Sequence, residues 1–236
     1  MTEDRKLGDA WFFRKRPWGL SPFFMMFFIL TALFFILWSE TDLWFSGLFW
    51  RPEGGFFLRS HPLVLGIYRS VEWLSYGAGA FFIFWLLGFG FFPRIRRWGG
   101  FRFAVFSLLL LALGPGLLVN AVFKDQWGRA RPGQVEAFGG EAPFTPAFVP
   151  SSACERNCSF ASGHASAAAW LFCLALFYPR RNPWVLGATA FYFVLAGLGR
   201  IVQGGHFLSD VIFALLLVYL VAALLAPRIL MKSQSP

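Results

Sequence analysis

Gly199-Arg200-Ile201-Val202-Gln203-Gly204-Gly205-His206-Phe207-Leu208-Ser209-Asp210 joins two apolar runs, and its reading decides what kind of protein this is. Residues 183–199 and 208–226 flank it, and Asp210 is the only Asp, Glu, Lys or Arg inside them. If both runs cross a membrane, the stretch between them is a charged turn at the surface. His206 and Asp210 are spaced so that a helix would put both on one face, where a carboxylate can fix one imidazole nitrogen. Arg200 lies just upstream, and its planar fork of donors suits an oxyanion such as phosphate. Gly204-Gly205 allows a tight backbone turn before the histidine.

Outward from that stretch the composition agrees. The chain has 236 residues, 57% hydrophobic, with 32 Phe, 11 Trp and only 14% charged residues. A soluble domain carries roughly 25% charged residues. The apolar residues come in blocks of membrane-spanning length, not in amphipathic alternation. The expected fold is all-α: a polytopic membrane protein with about six transmembrane helices in one bundle, forming a single domain over residues 1–236. The six spans are Pro22–Trp38, Trp73–Phe92, Phe103–Val122, Ser162–Phe177, Pro183–Gly199 and Leu208–Ala226. Arg14-Lys15-Arg16 precede the first without a small-residue cleavage pattern after it, so it reads as a retained anchor.

The net charge of +9 is unevenly distributed. With six spans, one side collects Arg5, Lys6, Arg14, Lys15, Arg16, Arg94, Arg96, Arg97, Arg102, Arg180, Arg181, Arg228 and Lys232, against Glu3, Asp4 and Asp9. By the positive-inside rule that side, with both termini, is cytoplasmic. The surplus charge orients the protein towards anionic headgroups, and nucleic acid is not an expected partner.

Residues 1–21 form a basic cytoplasmic lead-in, and residues 39–72 and 123–161 are extracytoplasmic loops. The aromatics Trp44, Phe45, Phe49, Trp50, Phe56 and Phe57 suggest that 39–72 lies in the interface, as an aromatic belt or beside a lipid's entry path. His61, before Pro62, has no acidic neighbour and is assigned no chemistry. Cys154 and Cys158 stand on the outer face, where a disulfide would brace the approach to Ser162-Gly163-His164; spacing alone leaves bonded and free thiols equally open. Cys173, within an apolar run, reads as packing.

The parity of the spans then brings sequence-distant groups to one face. Lys124-Asp125-Gln126-Trp127-Gly128-Arg129-Ala130-Arg131-Pro132 follows the third span, Ser162-Gly163-His164 opens the fourth, Arg200 closes the fifth and His206 precedes the sixth. Lys124, Arg131 and Arg200 supply positive charge, Ser162 a hydroxyl, and Gly163 and His164 backbone N–H groups at a helix start. His206, His164 and Asp210 remain for proton and nucleophile work. Such a pocket suits a phosphate and a transition state with charge on its equatorial oxygens. Asp210 and Asp125 are too few carboxylates to hold a divalent metal among so many cations, so neither metal nor cofactor is expected. Arg129 is expected to pair with Asp125.

Lys-x6-Arg-Pro, Ser-Gly-His and Arg-x5-His-x3-Asp, in that order over residues 124–210, resemble the type-2 phosphatidic acid phosphatase superfamily. Two positions depart from the pattern: Ala161 stands where the family usually has Pro, and Gly199 where it often has Ser. The resemblance implies that His206 attacks phosphorus to form a phosphohistidine, with Asp210 orienting its ring. His164 would protonate the leaving alkoxide and then activate water. Lys124, Arg131, Arg200, Ser162 and the Gly163 amide would hold the phosphoryl oxygens. The wording around the motifs, such as Phe138-Gly139-Gly140 and Asn157-Cys158-Ser159-Phe160, is similar to bacterial lipid A phosphatases. That implies a multi-pass protein of the bacterial inner membrane with a periplasmic site. Undecaprenyl pyrophosphate, phosphatidylglycerol phosphate and phosphatidic acid are alternative substrates, headgroup choice falling to loops 39–72 and 133–158. A phospholipid transporter that binds without cleaving is the alternative from another class, and it gives no reason to gather His206, Asp210 and His164.

Overall fold

A computed structural model describes residues 20–93, 100–178 and 182–230. Helix α1 (Pro22–Leu37) is followed by α2 (Glu40–Gly47) and a small hairpin pairing β1 (Trp50–Arg51) with β2 (Gly55–Phe56). Helix α3 (Pro62–Phe91) comes next, then α4 (Phe101–Gln126). After the long loop come α5 (Gly163–Phe177), α6 (Pro183–Val202) and α7 (Leu208–Ile229). Three of these helices begin in the same way. Pro22, Pro62 and Pro183 occupy the first turn, where a missing N–H costs nothing, and Ser21, His61 and Asn182 cap them. His61 Nδ1 accepts from Leu63 N–H, so this histidine is a helix cap.

Helix α4 is irregular for a reason visible in its sequence. Gly114-Pro115-Gly116 cannot sustain the α-helical ladder, and Ala112–Phe123 winds as a wider π-helix. Asn120 Nδ2 donates to the Pro115 carbonyl at 2.7 Å, satisfying a group that the wider turn exposes.

Helix α7 forms the axis of the molecule. It packs on α5 and α4, while α5 also packs on α6 and α3 covers α4, α5 and α6. Phe213, Ala214, Val218 and Ala222 are fully buried around α7, joined by Phe106 of α4 and Trp170 of α5, whose indole N–H donates to Ser107 O. The outer faces are apolar instead: Trp73 and Trp184 are 76% and 85% exposed. Large apolar side chains facing outward all around a buried axis are what a lipid surround stabilises.

Among the described residues four helices are long and apolar enough to cross a membrane: α3, α4, α6 and α7. The pair α1 and α2 makes a fifth only if counted together, because the chain bends by 77° between them. Helix α5 is apolar but has only 15 residues. By length and composition alone the described residues thus support four spans, or up to five, of the six expected. The expected second span also starts late. Its helix begins at Pro62, so Tyr68 and Glu72, expected in a loop, are helical and face the protein's interior cavities. The basic residues at 94–97, 180–181 and the N-terminal lead-in lie outside the described residues, except that Leu20 and Ser21 are described.

The loop at 39–72 is more structural than a belt. Trp44 and Phe57 are exposed, but Phe56 is buried and packs with Trp50 on Phe138. Phe56 also lies against Gly204, where a Cβ would meet its ring carbons at 2.6 and 2.7 Å. The hairpin thus supports the turn that carries His206.

Candidate active site

Ser162 N-caps α5, its hydroxyl accepting from Ala165 N–H at 3.4 Å, and its own N–H donates to the Asp210 carbonyl at 3.1 Å. One hydrogen bond therefore ties the start of α5 to the start of α7. Lys124, at the end of α4, comes to the same place: a Cβ on Gly163 would stand 3.2 Å from Lys124 Nζ. Glycine here lets that ammonium approach the first amides of α5 without a shift, where the helix dipole favours an anion. On the far side, a Cβ on Gly205 would meet Arg200 Cζ at 2.8 Å. The two glycines make room for two cations.

His206 is buried, at 1% exposure, in the turn before α7. Its Nδ1 lies 2.7 Å from the Ser159 carbonyl, an acceptor only, so Nδ1 carries the proton and Nε2 the lone pair. Asp210 Oδ2 is 3.7 Å from Nδ1, beyond hydrogen-bond distance. The one-face pairing expected from spacing is corrected here. The helix begins at Leu208, after the histidine, and Asp210 instead accepts from Phe207 N–H at 2.7 Å as part of the helix cap. Asp210 also accepts from Ser159 Oγ, and so steadies the residue whose carbonyl holds the ring. Burial holds His206 well below its ordinary 6.5, at about 4; the Asp210 carboxylate opposes the shift and the Arg200 charge adds to it. The imidazole is therefore neutral at physiological pH, the form in which a nitrogen can attack.

Arg129 departs furthest from expectation. It pairs not with Asp125 but with two other carboxylates, donating from Nη2 to Asp42 at 2.9 Å and from Nη1 to Asp210 at 2.6 Å. Nη1 also donates to Ser209 Oγ and Nε to the Thr145 carbonyl, and the guanidinium lies 4.4 Å from the Phe207 ring centroid. Burial would lower its pKa, but Asp210 and Asp42 more than offset that and raise it. Asp125 accepts from Asn157 N–H instead. The geometry explains the exchange: Gly128, at φ +70°, turns Arg129 inward, and any Cβ there would overlap the Ser151 carbonyl.

Cys154 and Cys158 are joined, with Cα atoms 5.7 Å apart. The loop they close is bound to the first motif along its length. Cys158 N–H donates to Lys124 O, Ser159 N–H to Arg129 O, and Arg131 Nη2 to Asn157 O and Oδ1 at 2.7 and 2.9 Å. The small disulfide loop therefore sets the direction of the Arg131 fork.

His164 stacks on Tyr68, with ring centroids 4.1 Å apart, and the Arg200 guanidinium sits 5.0 Å from the same tyrosine's centroid. Arg200 Nη1 donates to Gln203 Oε1, while Arg200 Nε and His164 Nε2 are buried without a hydrogen-bond partner. Two cavities are lined by these groups. A polar one of about 650 Å³ is lined by Arg131, Arg200, Asn157 and Gly205, with Arg59 and Arg156 at its rim. A more apolar one of about 460 Å³ is lined by Lys124, Gly163, His164 and Glu72, and extends past Pro115 and Ala167. Unpartnered donors beside a polar and an apolar space suit a phosphate carried on a lipid. Among the described residues no group of three or more His, Cys, Asp and Glu could hold a metal ion.

Sequence reasoning missed Asp42, Ser159, Asn157, Tyr68 and Glu72. Ser159 stands three residues before the second motif, and nothing in its spacing singles out a carbonyl. Asp42 was visible as an acid among aromatics, yet its partner lies 87 residues away.

The PAP2 superfamily profile matches residues 104–233. The chain is 38% identical over 195 residues to a lipid A 4′-phosphatase of Francisella tularensis subsp. novicida, covering 80% of this chain and 86% of that protein. It is 46% identical over 122 residues to a lipid A 4′-phosphatase of Rhizobium leguminosarum, 51% of this chain and 52% of the relative. With a lipid A 4′-phosphatase of Rhizobium etli the identity is 45% over 102 residues, 43% of this chain and 40% of the relative. No solved structure gives a significant match. With motif residues from α4, α5, α6 and the turn into α7 gathered as described, and more than half its length inside the profile, the chain belongs to the PAP2 superfamily.

Proposed function

We propose that this protein is a lipid phosphatase of the bacterial membrane that removes a phosphomonoester from lipid A. The observation that carries the reading is 38% identity to a lipid A 4′-phosphatase over 86% of that relative, and a cationic site beside an apolar cavity supports it. In the reaction proposed, His206 Nε2 attacks phosphorus, the N–P bond forms and the P–O bond to the lipid breaks. The leaving alkoxide takes a proton from His164. Water then attacks the phosphohistidine, giving its proton back to His164, and phosphate departs. Lys124, Arg131 and Arg200, with Ser162 and the Gly163 amide, hold the equatorial oxygens. No step uses a metal. Asp210 acts through Ser159, whose carbonyl fixes the His206 tautomer.

The same reading makes residues 1–236 one domain of the inner membrane, with six crossings once α5 and the bent α1–α2 pair are counted. Both termini are then cytoplasmic and the site periplasmic. The test is phosphate release from lipid A by detergent-purified protein in the presence of a chelator, with undecaprenyl pyrophosphate and phosphatidic acid compared. Turnover survives chelation and is lost in His206→Ala and His164→Ala. Full activity in His206→Ala removes the nucleophile assignment.

A further inference from the structure

Helix α3 carries no part of the three motifs, yet it presents two side chains to His164. Tyr68 and Glu72 are one turn apart, so they lie on one face of the helix. Tyr68 stacks on the His164 ring at 4.1 Å with the planes 28° apart. Glu72 Oε1 stands 3.6 Å from His164 Nε2, a nitrogen that is buried and makes no hydrogen bond. Each residue lines a cavity: Glu72 the apolar one with His164 and Lys124, and Tyr68 the polar one with Arg131 and Arg200.

The charges facing His164 give this contact its meaning. Lys124 from α4, Arg131 from the loop and Arg200 from α6 are all cations, and His206 lies before α7. Asp210 is turned towards Arg129 and the α7 cap. Glu72 is the carboxylate paired with the ring. A general acid must hold its proton until the alkoxide leaves, and burial first, then three cations, oppose that proton. We infer that Glu72 is a positioning residue that keeps His164 as the imidazolium donor, with Tyr68 setting the plane of the ring. This rests on the phosphatase reading above. The proton that moves is the one on His164, passing to the alkoxide oxygen. The 3.6 Å separation is an ion-pair distance that a small side-chain shift turns into a hydrogen bond.

The experiment is a pH profile of phosphate release from lipid A by the full chain in detergent, for wild type, Glu72→Gln and Glu72→Asp, with His206→Ala as the blank. Glu72→Gln is expected to lower kcat about 10- to 100-fold, part of the ~10²–10⁴ that a general acid supplies, with KM within about threefold. Its basic limb in kcat/KM moves to lower pH by about half to one unit, because a partly exposed carboxylate no longer supports the proton. Glu72→Asp recovers most of the rate. Glu72 is partly exposed and Gln is isosteric, so all variants should unfold at the wild-type temperature, which is checked. A Glu72→Gln profile with an unmoved basic limb overturns the inference, whatever its kcat, since a merely structural role would leave the limb in place. If the wild type itself releases no phosphate, the phosphatase reading falls first, and that outcome is distinct.

Discussion

Replacing Arg129 by Met removes the one cation between two buried carboxylates, and the structure allows the cost to be worked out. Asp42, Asp210 and Arg129 are all fully buried, with ion-pair distances of 2.9 and 2.6 Å. Deleting one partner of a buried pair costs about 3–5 kcal/mol, because the other charge is left without compensation. Here two carboxylates are orphaned together, and Ser209 and the Thr145 carbonyl lose a donor as well. Met retains apolar contact with Phe207 and Phe144, so the stem's packing is roughly kept and the electrostatic loss decides the sign. For a chain of this size each kcal/mol moves Tm by about 2–4 °C, so a fall on the order of 10 °C is expected. The assay is thermal unfolding in detergent, followed by the fluorescence of the 11 tryptophans. Arg129→Lys, which keeps the charge but not the fork, should fall in between. Arg129→Met/Asp42→Asn should regain about 0.5–3 kcal/mol over the single variant, since one orphaned charge is then gone. A Tm for Arg129→Met within about 2 °C of wild type would refute the view that this guanidinium clamps the site together.

Other expectations concern the site directly. Gly205→Ala places a methyl against the Arg200 guanidinium, 2.8 Å from Cζ, and should lower kcat/KM by about 10-fold or more while the protein still folds, read by phosphate release and Tm together. Removing the Cys154–Cys158 bond by the double Ser substitution should cost roughly 2 kcal/mol, the chain-entropy value for so short a loop. It should also raise KM, because the loop's Asn157 no longer fixes Arg131. For His206 the folded-state value of about 4 lies below the ordinary 6.5. The unfolded chain therefore takes up the proton first, so its contribution to stability is complete above about pH 6.5 and is lost as pH falls towards 4. The acid limb of kcat/KM belonging to this imidazole should correspondingly lie near 4, and an NMR titration of the His206 ring near 6.5 would contradict the burial argument.

Much of this molecule was legible in the amino-acid order. Apolar blocks of membrane length do not depend on partners, because a lipid surround demands only that a helix be long and uncharged, so α3, α4, α6 and α7 could be located from hydropathy. The three motifs were likewise legible, since each is a short run with its own chemistry, and span parity put them on one face. Span number was harder: α1 bends by 77° into α2, which does not follow from hydropathy, and α5, although located within Ser162–Phe177 from the sequence, is short for a crossing.

What only tertiary structure decided is who holds whom. The sequence assigned Arg129 to its neighbour Asp125, but Gly128 turns the side chain inward to Asp42 and Asp210. It gave Asp210 the His206 ring, but the helix starts after the histidine, so the carboxylate caps the helix and a main-chain carbonyl from Ser159 takes the imidazole. It left Glu72 in a loop, though α3 carries it to His164. The reason is the same each time: a buried charge takes whichever partner packing brings within about 3–4 Å, and distance along the chain says nothing about that. Sequence alone singled out the candidate groups for the chemistry; the fold decided how each is held.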